Sequence, residues 1–160
     1  MQDPWEKNEP GLGLGRDPSR TPFQWDATPH AGFTRGKPWL PVAPSFQSCN
    51  VEALGTDNDG SILTLYRRLL SVRRDHAALS SGAFRLIGVQ GNALVYERAD
   101  ERERIVICRN FGDGAQQVSV DDVDGASILV STYPARTTLS PDLVLSPNEG
   151  LMMLLKIPSV

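Results

Sequence analysis

The densest group of chemically active side chains lies in residues 15–26, which read G-R-D-P-S-R-T-P-F-Q-W-D. Two arginines, two aspartates and a tryptophan fall in a stretch too broken by proline to be a helix or a central strand. We therefore predict a shaped loop. An arginine in such a loop can bind two oxygens at once, because its planar guanidinium stays charged. An ion-paired surface loop is the alternative interpretation.

Histidine and cysteine indicate no further reactive centre. His30 and His76 are isolated in the sequence, which argues against a Ser-His-Asp or Cys-His catalytic set. Cys49 and Cys108 lack metal-ligand spacing, so we expect free thiols, no metal site and no cofactor. Cys108 lies in an apolar run and is expected to be a small buried hydrophobe.

The segment that must hold the loop has little regular structure of its own. Residues 1–57 are rich in proline, glycine and aspartate and show no sustained period of a helix or strand. Loops longer than about 15 residues are uncommon inside a compact domain. The large apolar side chains of this segment are expected to lie against another surface. They are Trp5, Leu12, Leu14, Phe23, Trp25, Phe33, Trp39, Leu40 and Phe46.

One helix is predicted at residues 61–74, with Asp59 or Ser61 as its cap. His76 follows the helix and is expected to cap or pack rather than to bind a ligand. The apolar residues of the helix recur at helical spacing and define one face. They are Ile62, Leu65, Tyr66, Leu69 and Val72.

Short β-branched or alternating runs follow Gly82, separated by turn residues. Seven strands at this spacing are typical of an antiparallel β-sandwich or a Greek-key barrel. The predicted strands are residues 84–89, 93–98, 104–110, 116–120, 127–132, 143–145 and 151–157.

Four blocks in order carry a resemblance to a known family: residues 15–26, 30–41, 50–53, and 61–70 together with 73–79. They resemble the carboxyl-terminal portion of the α-glucosidase branch of the α-amylase superfamily. That branch includes oligo-1,6-glucosidases, maltases, trehalulose-forming enzymes and trehalose synthases. The family usually has methionine where this chain has Phe23, a tolerated apolar exchange.

The resemblance implies a division of the chain. Residues 1–82 would be the end of a (β/α)8 barrel, comprising the long loop after its eighth strand and then its last helix. Residues 83–160 would be the all-β domain that follows. The three catalytic carboxylates of the family lie on earlier barrel strands. A whole barrel needs about 250 residues, and this chain has 160.

The resemblance also assigns candidate site residues. Arg16 matches the arginine that reaches the sugar pocket beside the catalytic nucleophile in the family. Asp17 is expected to orient it, and Arg20 is the second candidate for contact with substrate or an ion-pair partner. The loop also has acidic residues, but none sits at a strand end that could frame a catalytic carboxylate pair.

We therefore predict the carboxyl-terminal portion of a retaining α-glucosidase that acts on α-glucosidic bonds of oligosaccharides or disaccharides. The chain alone is expected to be inactive. The alternative is an autonomous β-sandwich accessory module that binds a glycan or a protein partner. Linkage preference stays open, because in this branch a residue beside the nucleophile largely sets it.

Charge and hydropathy narrow the expected partners. The net charge is −3 with lysine and arginine scattered along the chain, which predicts neither nucleic acid nor a membrane surface as a partner. No apolar run approaches the roughly 20 residues of a membrane span, and the start lacks an apolar signal core, so we expect a cytoplasmic protein. The expected partners are an α-glucoside in the intact parent enzyme and other copies of the chain, contacted through its apolar N-terminal segment.

Overall fold

The computed structural model describes residues 2–55, 60–140 and 142–156. The chain divides into two compact units, Met1–Leu63 and Thr64–Val160. This division lies within the predicted helix, whereas the sequence placed a domain boundary after residue 82. The two kinds of boundary differ because the helix packs on the β-strands that follow it. The boundary at residue 82 stays a prediction.

The first unit consists of short helical turns joined by irregular chain. It contains helix α1 (Pro4–Asn8), helix α2 (Val51–Leu54) and 3-10 turns at Asp17–Arg20, Pro29–Gly32 and Pro44–Gln47. Among its described residues, the buried apolar side chains are Pro22, Ala31 and Leu40. Many large ones are exposed instead, so the surface against which they are expected to lie stays a prediction. They are Trp5, Leu12, Leu14, Phe23, Trp25, Phe33, Trp39 and Leu54.

Helix α3 runs over Ile62–Asp75, within one residue of the prediction at each end, and α4 (Ala78–Ser81) follows it. The predicted cap Asp59 lies outside the described residues. No residue of α3 is buried: Ile62 is 78% exposed and Tyr66 is 64% exposed. The predicted apolar face is therefore only partly covered.

The second unit is built on seven strands. They are β1 (Ala83–Gln90), β2 (Ala93–Ala99), β3 (Arg104–Asn110), β4 (Gln116–Val118), β5 (Ser127–Ser131), β6 (Leu143–Leu145) and β7 (Gly150–Leu155). All pairings are antiparallel. They form a five-stranded sheet in the order β1-β2-β3-β7-β5 and a two-stranded sheet of β4 and β6. Each predicted strand is present, with bounds that differ from the prediction by at most two residues in the described part of the chain, and residue 157 lies outside that part.

The five-stranded sheet has apolar side chains on both faces, because successive residues of a strand point to opposite sides. On one face Val106, Cys108 and Met153 form a buried cluster with Val118 and Leu143 of the two-stranded sheet. On the other face Ile105, Ile107, Met152 and Leu154 form a second cluster with Val72, Ala78 and Leu79. The end of α3 and the short helix α4 therefore cover part of the second face.

Buried charge is paired in this unit. The carboxylate of Glu149 is fully buried and accepts hydrogen bonds from the Arg136 guanidinium, Ser131 Oγ (3.1 Å) and the Ser146 N–H (2.7 Å). Glu97, 6% exposed, similarly pairs with Arg85 and Arg104. The Glu97 pairs join the neighbouring strands β1, β2 and β3, whereas the Glu149–Arg136 pair joins two loops.

His76 has a carboxylate partner in the fold. His76 is isolated in sequence but not in space, because its Nδ1 lies 2.6 Å from Glu103 Oε2. Glu103 Oε1 also accepts the N–H of Ala78 at 2.9 Å, which ties the start of α4 to the turn before β3. His76 thus has a packing role, as expected, but with a carboxylate partner 27 residues away.

The cysteine prediction is confirmed. Cys49 and Cys108 are both free, and Cys108 is buried while Cys49 is exposed. Burial, together with the nearby charge of Glu149, raises the pKa of the Cys108 thiol to about 12. Cys108 is therefore an unreactive core residue at neutral pH.

Candidate functional site

The candidate loop is anchored by a carboxylate near the start of the chain. Asp3 caps α1, since its Oδ1 accepts the N–H of Trp5 at 2.9 Å and Pro4 occupies the first helical position. Proline there suits a helix start, because the N–H it lacks would have no partner in the helix. Helix α1 is only five residues long, and the Asp3 side chain at its start is fully buried.

The same carboxylate holds Arg16. Asp3 Oδ2 accepts the Nε–H of Arg16 at 2.8 Å and the backbone N–H of Arg16 at 3.2 Å. The hydrogen bond from the Arg16 side chain, and then that from the Trp5 N–H, hold the pKa of Asp3 below its usual value of 3.8. Asp3 is therefore ionised at neutral pH. The Arg16 side chain is 53% exposed.

The other two predicted site residues are arranged differently. Asp17, the predicted orienting residue, accepts the N–H of Gln2 at 2.6 Å through Oδ2. Within the described residues the carboxylate bonded to Arg16 is that of Asp3. Arg20 ends the 3-10 turn Asp17–Arg20 and is exposed, and its side chain has no hydrogen-bond partner among the described residues.

A third carboxylate closes the loop between Asp3 and Arg16. Glu6 accepts the N–H groups of Gly11 and Gly15, both at 3.1 Å. A side chain at residue 15 would meet the Glu6 side chain at 2.9 Å, so glycine permits this close approach. Glu6 and Asp17 therefore shape the backbone around Arg16, whereas Asp3 contacts its guanidinium.

The second half of the loop is fixed by the blocks that follow it. The N–H groups of Val51 and Glu52 donate to the carbonyl oxygens of Gln24 (3.1 Å) and Trp25 (3.0 Å), and the Trp25 N–H donates to Ala31 O (2.9 Å). Three of the four blocks noted in the sequence thus contact one another within the first unit.

Ala31 is buried in a left-handed turn with φ 58°, next to His30 with φ 59°. Non-glycine residues at positive φ are uncommon and cost energy. The surrounding contacts, including the hydrogen bond from Trp25 to the Ala31 carbonyl, hold this turn.

A cavity of about 500 Å³ lies beside the loop in the first unit. Its walls include Asp17, Thr21, Leu40 and Pro44. In the part of the chain that the structure describes, no group of three or more His, Cys, Asp and Glu residues is placed to hold a metal ion. Searched over the same residues, no helix is long and apolar enough to cross a membrane.

Sequence comparison identifies the family of this chain. The family described as "Alpha amylase, catalytic domain" matches residues 2–82, which include the whole candidate loop and α3. The chain belongs to the α-amylase family. The match ends at the residue where the sequence placed the end of the barrel portion.

Relatives of the chain are carbohydrate-active enzymes. The probable oligo-1,6-glucosidase 2 of Bacillus subtilis (strain 168) is 36% identical over 148 residues, covering 90% of this chain and 26% of the relative. The glucan 1,6-alpha-glucosidase of Streptococcus pneumoniae serotype 4 is 34% identical over 138 residues, covering 86% of this chain and 25% of the relative.

Among solved structures, the trehalulose synthase of Pseudomonas mesoacidophila MX-45 matches with a TM-score of 0.73 and 32% identity. That match covers 89% of this chain and 26% of the synthase. The chain thus spans about a quarter of the length of the relatives that it matches.

Proposed function

We propose that this chain is the carboxyl-terminal part of a retaining α-glucosidase that acts on oligosaccharides or disaccharides. In this proposal residues 1–82 complete a catalytic (β/α)8 barrel, and residues 83–160 form the β-sandwich domain that follows it. The catalytic carboxylates belong to the preceding portion of the barrel, and the isolated chain is inactive.

The observation that carries the proposal is the extent of the match. Nearly the whole chain matches about a quarter of each relative, and two of those relatives are named as α-glucosidases acting on 1,6 bonds. Because the solved synthase extends the same match to structure at a TM-score of 0.73, the likeness covers the fold as well as the sequence.

Exposed apolar side chains support the proposal that a preceding barrel portion packs against this chain. Burying a large apolar side chain contributes about 1.5–3 kcal/mol, so a stable fold leaves few of them uncovered together. In the described part of the first unit Trp5, Trp25 and Trp39 are each more than half exposed. In α3, Tyr66 and Leu70 are 64% and 56% exposed on neighbouring turns. A preceding barrel would cover both sets.

The two arginines keep the roles that the family resemblance implies, whereas Asp17, which accepts the Gln2 N–H, is assigned a part in shaping the backbone around Arg16. Arg16 would donate hydrogen bonds to glycone hydroxyls and help to keep the nucleophile ionised, with Arg20 as the second candidate and Asp17 as part of the frame. Support comes from the exposure of Arg16 and from its terminal nitrogens, which have no hydrogen-bond partner among the described residues.

The alternative function is an autonomous module that binds a glycan or a protein partner. Phe23 and Trp25 favour it, since their rings lie 4.9 Å apart and both are more than half exposed. The two ring planes are tilted by 59°, and together the rings offer an apolar surface that a sugar face could contact. The same surface would promote self-association of the chain.

The test begins with the DNA upstream of this coding sequence. We expect an open frame that encodes the three catalytic carboxylate motifs in phase with this chain. The joined protein is the product of that whole frame, in which the upstream barrel portion precedes this chain. It should catalyse hydrolysis of, or glucosyl transfer from, at least one of maltose, isomaltose, sucrose and an aryl α-glucoside. An upstream promoter and ribosome site with no such frame would overturn the proposal and favour the autonomous module, whose glycan binding could then be measured by calorimetry.

A further inference from the structure

Asp3 concentrates three donors on one buried carboxylate. Its Oδ1 accepts the Trp5 N–H, and its Oδ2 accepts both the backbone N–H and the Nε–H of Arg16. The Asp3 side chain is fully buried, whereas the Arg16 side chain is 53% exposed. A buried acid therefore holds the inner edge of a guanidinium whose other edge faces no described partner.

This arrangement limits how Arg16 can move. Since one oxygen binds both the backbone N–H and the Nε–H of Arg16, the side chain is folded against a carboxylate that also fixes its own backbone. The guanidinium is planar, so a hydrogen bond at Nε restricts the plane of the whole group. Its two terminal nitrogens then remain for two oxygens of a ligand, and little rotamer freedom is left to lose on binding.

No other acid of the loop has this relation to the arginine. Glu6 and Asp17 accept backbone N–H groups of Gly11, Gly15 and Gln2. Arg20, the other arginine of the loop, has no hydrogen-bond partner among the described residues. The structure therefore distinguishes Arg16 as the arginine that is held in place before a ligand arrives.

We propose that Asp3 is a positioning residue that fixes the guanidinium of Arg16 for contact with the sugar. The inference rests on the proposed function, because the ligand of Arg16 is the glycone of an α-glucoside in that proposal. Asp3 touches no reacting atom and acts only through Arg16.

The first experiment tests the contact in the 160-residue chain. Nitrogen-15 NMR at low temperature resolves the Nε–H of arginines, and Arg16→Lys assigns the signal. We expect the Arg16 Nε–H to exchange slowly with solvent, and Asp3→Asn to make it exchange as fast as that of an exposed arginine. Asp3→Asn keeps one oxygen for the Trp5 N–H and so preserves the helix cap.

Asp3→Ser is the second variant, because serine also caps a helix but is too short to bond Arg16 Nε. Glu9→Gln is the matched control, since Glu9 is an exposed acid near the end of α1 whose side chain has no hydrogen-bond partner among the described residues. Unchanged exchange of the Arg16 Nε–H in both Asp3 variants would overturn the proposal.

The second experiment measures kinetics in the joined protein. We expect Asp3→Asn to lower kcat/KM by about 10- to 100-fold, mostly through kcat. A misplaced Arg16 guanidinium would stabilise the transition state of the sugar less, and this loss would exceed the loss in binding of the ground state. In an Arg16→Ala background, Asp3→Asn should cause no further loss. A role confined to folding would instead lower the melting temperature and add to the Arg16→Ala effect.

The outcomes separate this inference from the proposed function. If Arg16→Ala lowers kcat/KM but Asp3→Asn does not, the positioning role is wrong and the function stands. If Arg16→Ala leaves kcat/KM unchanged, the assigned role of Arg16 is wrong, and the positioning role is overturned with it. If the joined protein is inactive on every α-glucoside, the proposed function is wrong.

Discussion

At the scale of single residues, the role proposed for Arg16 depends on the charge and the planar shape of its guanidinium. In the proposal Arg16 donates to the glycone hydroxyls and keeps the nucleophile ionised, so it holds the sugar and the attacking carboxylate in a reactive geometry. In the joined protein we expect Arg16→Ala to lower kcat/KM by about 2–4 kcal/mol, or roughly 30- to 1,000-fold. Steady-state kinetics on an aryl α-glucoside would measure the loss.

Arg16→Lys should recover little of that activity, because a point charge cannot replace the planar fork. Arg102→Ala is a suitable control, since Arg102 is exposed in the turn between β2 and β3 and its side chain has no described hydrogen-bond partner. The assignment would be contradicted by near-normal kcat/KM in Arg16→Ala, and Arg20 would be the next residue to substitute.

A second residue-scale prediction concerns the buried acid Glu149. Burial alone would raise the pKa of this carboxyl group, but the hydrogen bonds from Arg136 and Ser146 and the Arg136 charge hold it below its usual 4.5. Ionised Glu149 therefore stabilises the fold above about pH 4.5, and this stabilisation is lost as the pH falls through the lowered pKa. Thermal unfolding between about pH 7 and pH 3 should show a falling melting temperature at the acid end.

Glu149→Gln should lower the free energy of unfolding by about 3 kcal/mol at neutral pH, since it leaves Arg136 without its charged partner. It should also flatten the acid part of the pH profile. Glu101→Gln is the control, because Glu101 is exposed and its side chain has no hydrogen-bond partner among the described residues. A Glu149→Gln variant with the wild-type melting temperature and pH slope would show that the pair contributes nothing.

At the scale of elements, stability is concentrated in the strands. The clusters on both faces of the five-stranded sheet lie in the second unit, whereas the described part of the first unit buries only Pro22, Ala31 and Leu40 among its apolar residues. Native-state hydrogen exchange should therefore find the slowest amides in β2, β3 and β7, and faster exchange throughout residues 2–55. Equal protection of both parts in a dilute monomer would contradict this.

The elements of the second unit could be predicted from sequence because their signals are local. In β3 the apolar, mostly β-branched run Ile105–Cys108 lies between two arginines, and that local signal gave the observed bounds. In the same way the helical spacing gave α3 to within one residue. Burial of a helix face is not local, and the exposed Tyr66 shows the difference.

The candidate site could be predicted only in part. Arg16 was found through its family motif, but its partner Asp3 lies 13 residues away across irregular chain, where no spacing rule applies. The Asp-Pro pair at the start of α1 does signal a helix cap. That signal identifies Asp3 as a structural acid without revealing the arginine that it holds.

Tyr66 in helix α3 allows a direct test of the proposed contact between this helix and the preceding barrel portion. Tyr66 is 64% exposed, so Tyr66→Ser should change the melting temperature of the isolated chain very little. In the joined protein a barrel would bury this ring, and the same substitution should then lower the free energy of unfolding by about 3–5 kcal/mol. Equal effects in the two proteins would show that Tyr66 meets no barrel.

At the scale of the whole molecule, the chain combines a β-rich unit with a unit that contains the candidate loop. Strand contacts hold the former, whereas carboxylate-to-backbone hydrogen bonds and one ion pair shape the loop of the latter. A loop shaped in this way can present Arg16, but it provides no rigid pair of acids. Binding and bond cleavage are therefore expected to depend on different parts of the parent enzyme.

The last prediction follows from that separation. Retaining glycosidases need two carboxyl groups about 5–5.5 Å apart on a rigid frame, one as nucleophile and one as acid. Asp3, Glu6 and Asp17 instead have their oxygens bound to backbone N–H groups or to Arg16. The isolated chain should not hydrolyse maltose, isomaltose, sucrose or aryl α-glucosides, whereas the joined protein should act on at least one of them. Turnover by the isolated chain above an inactive-protein blank, retained through repurification and lost on denaturation, would show that it has a catalytic centre of its own.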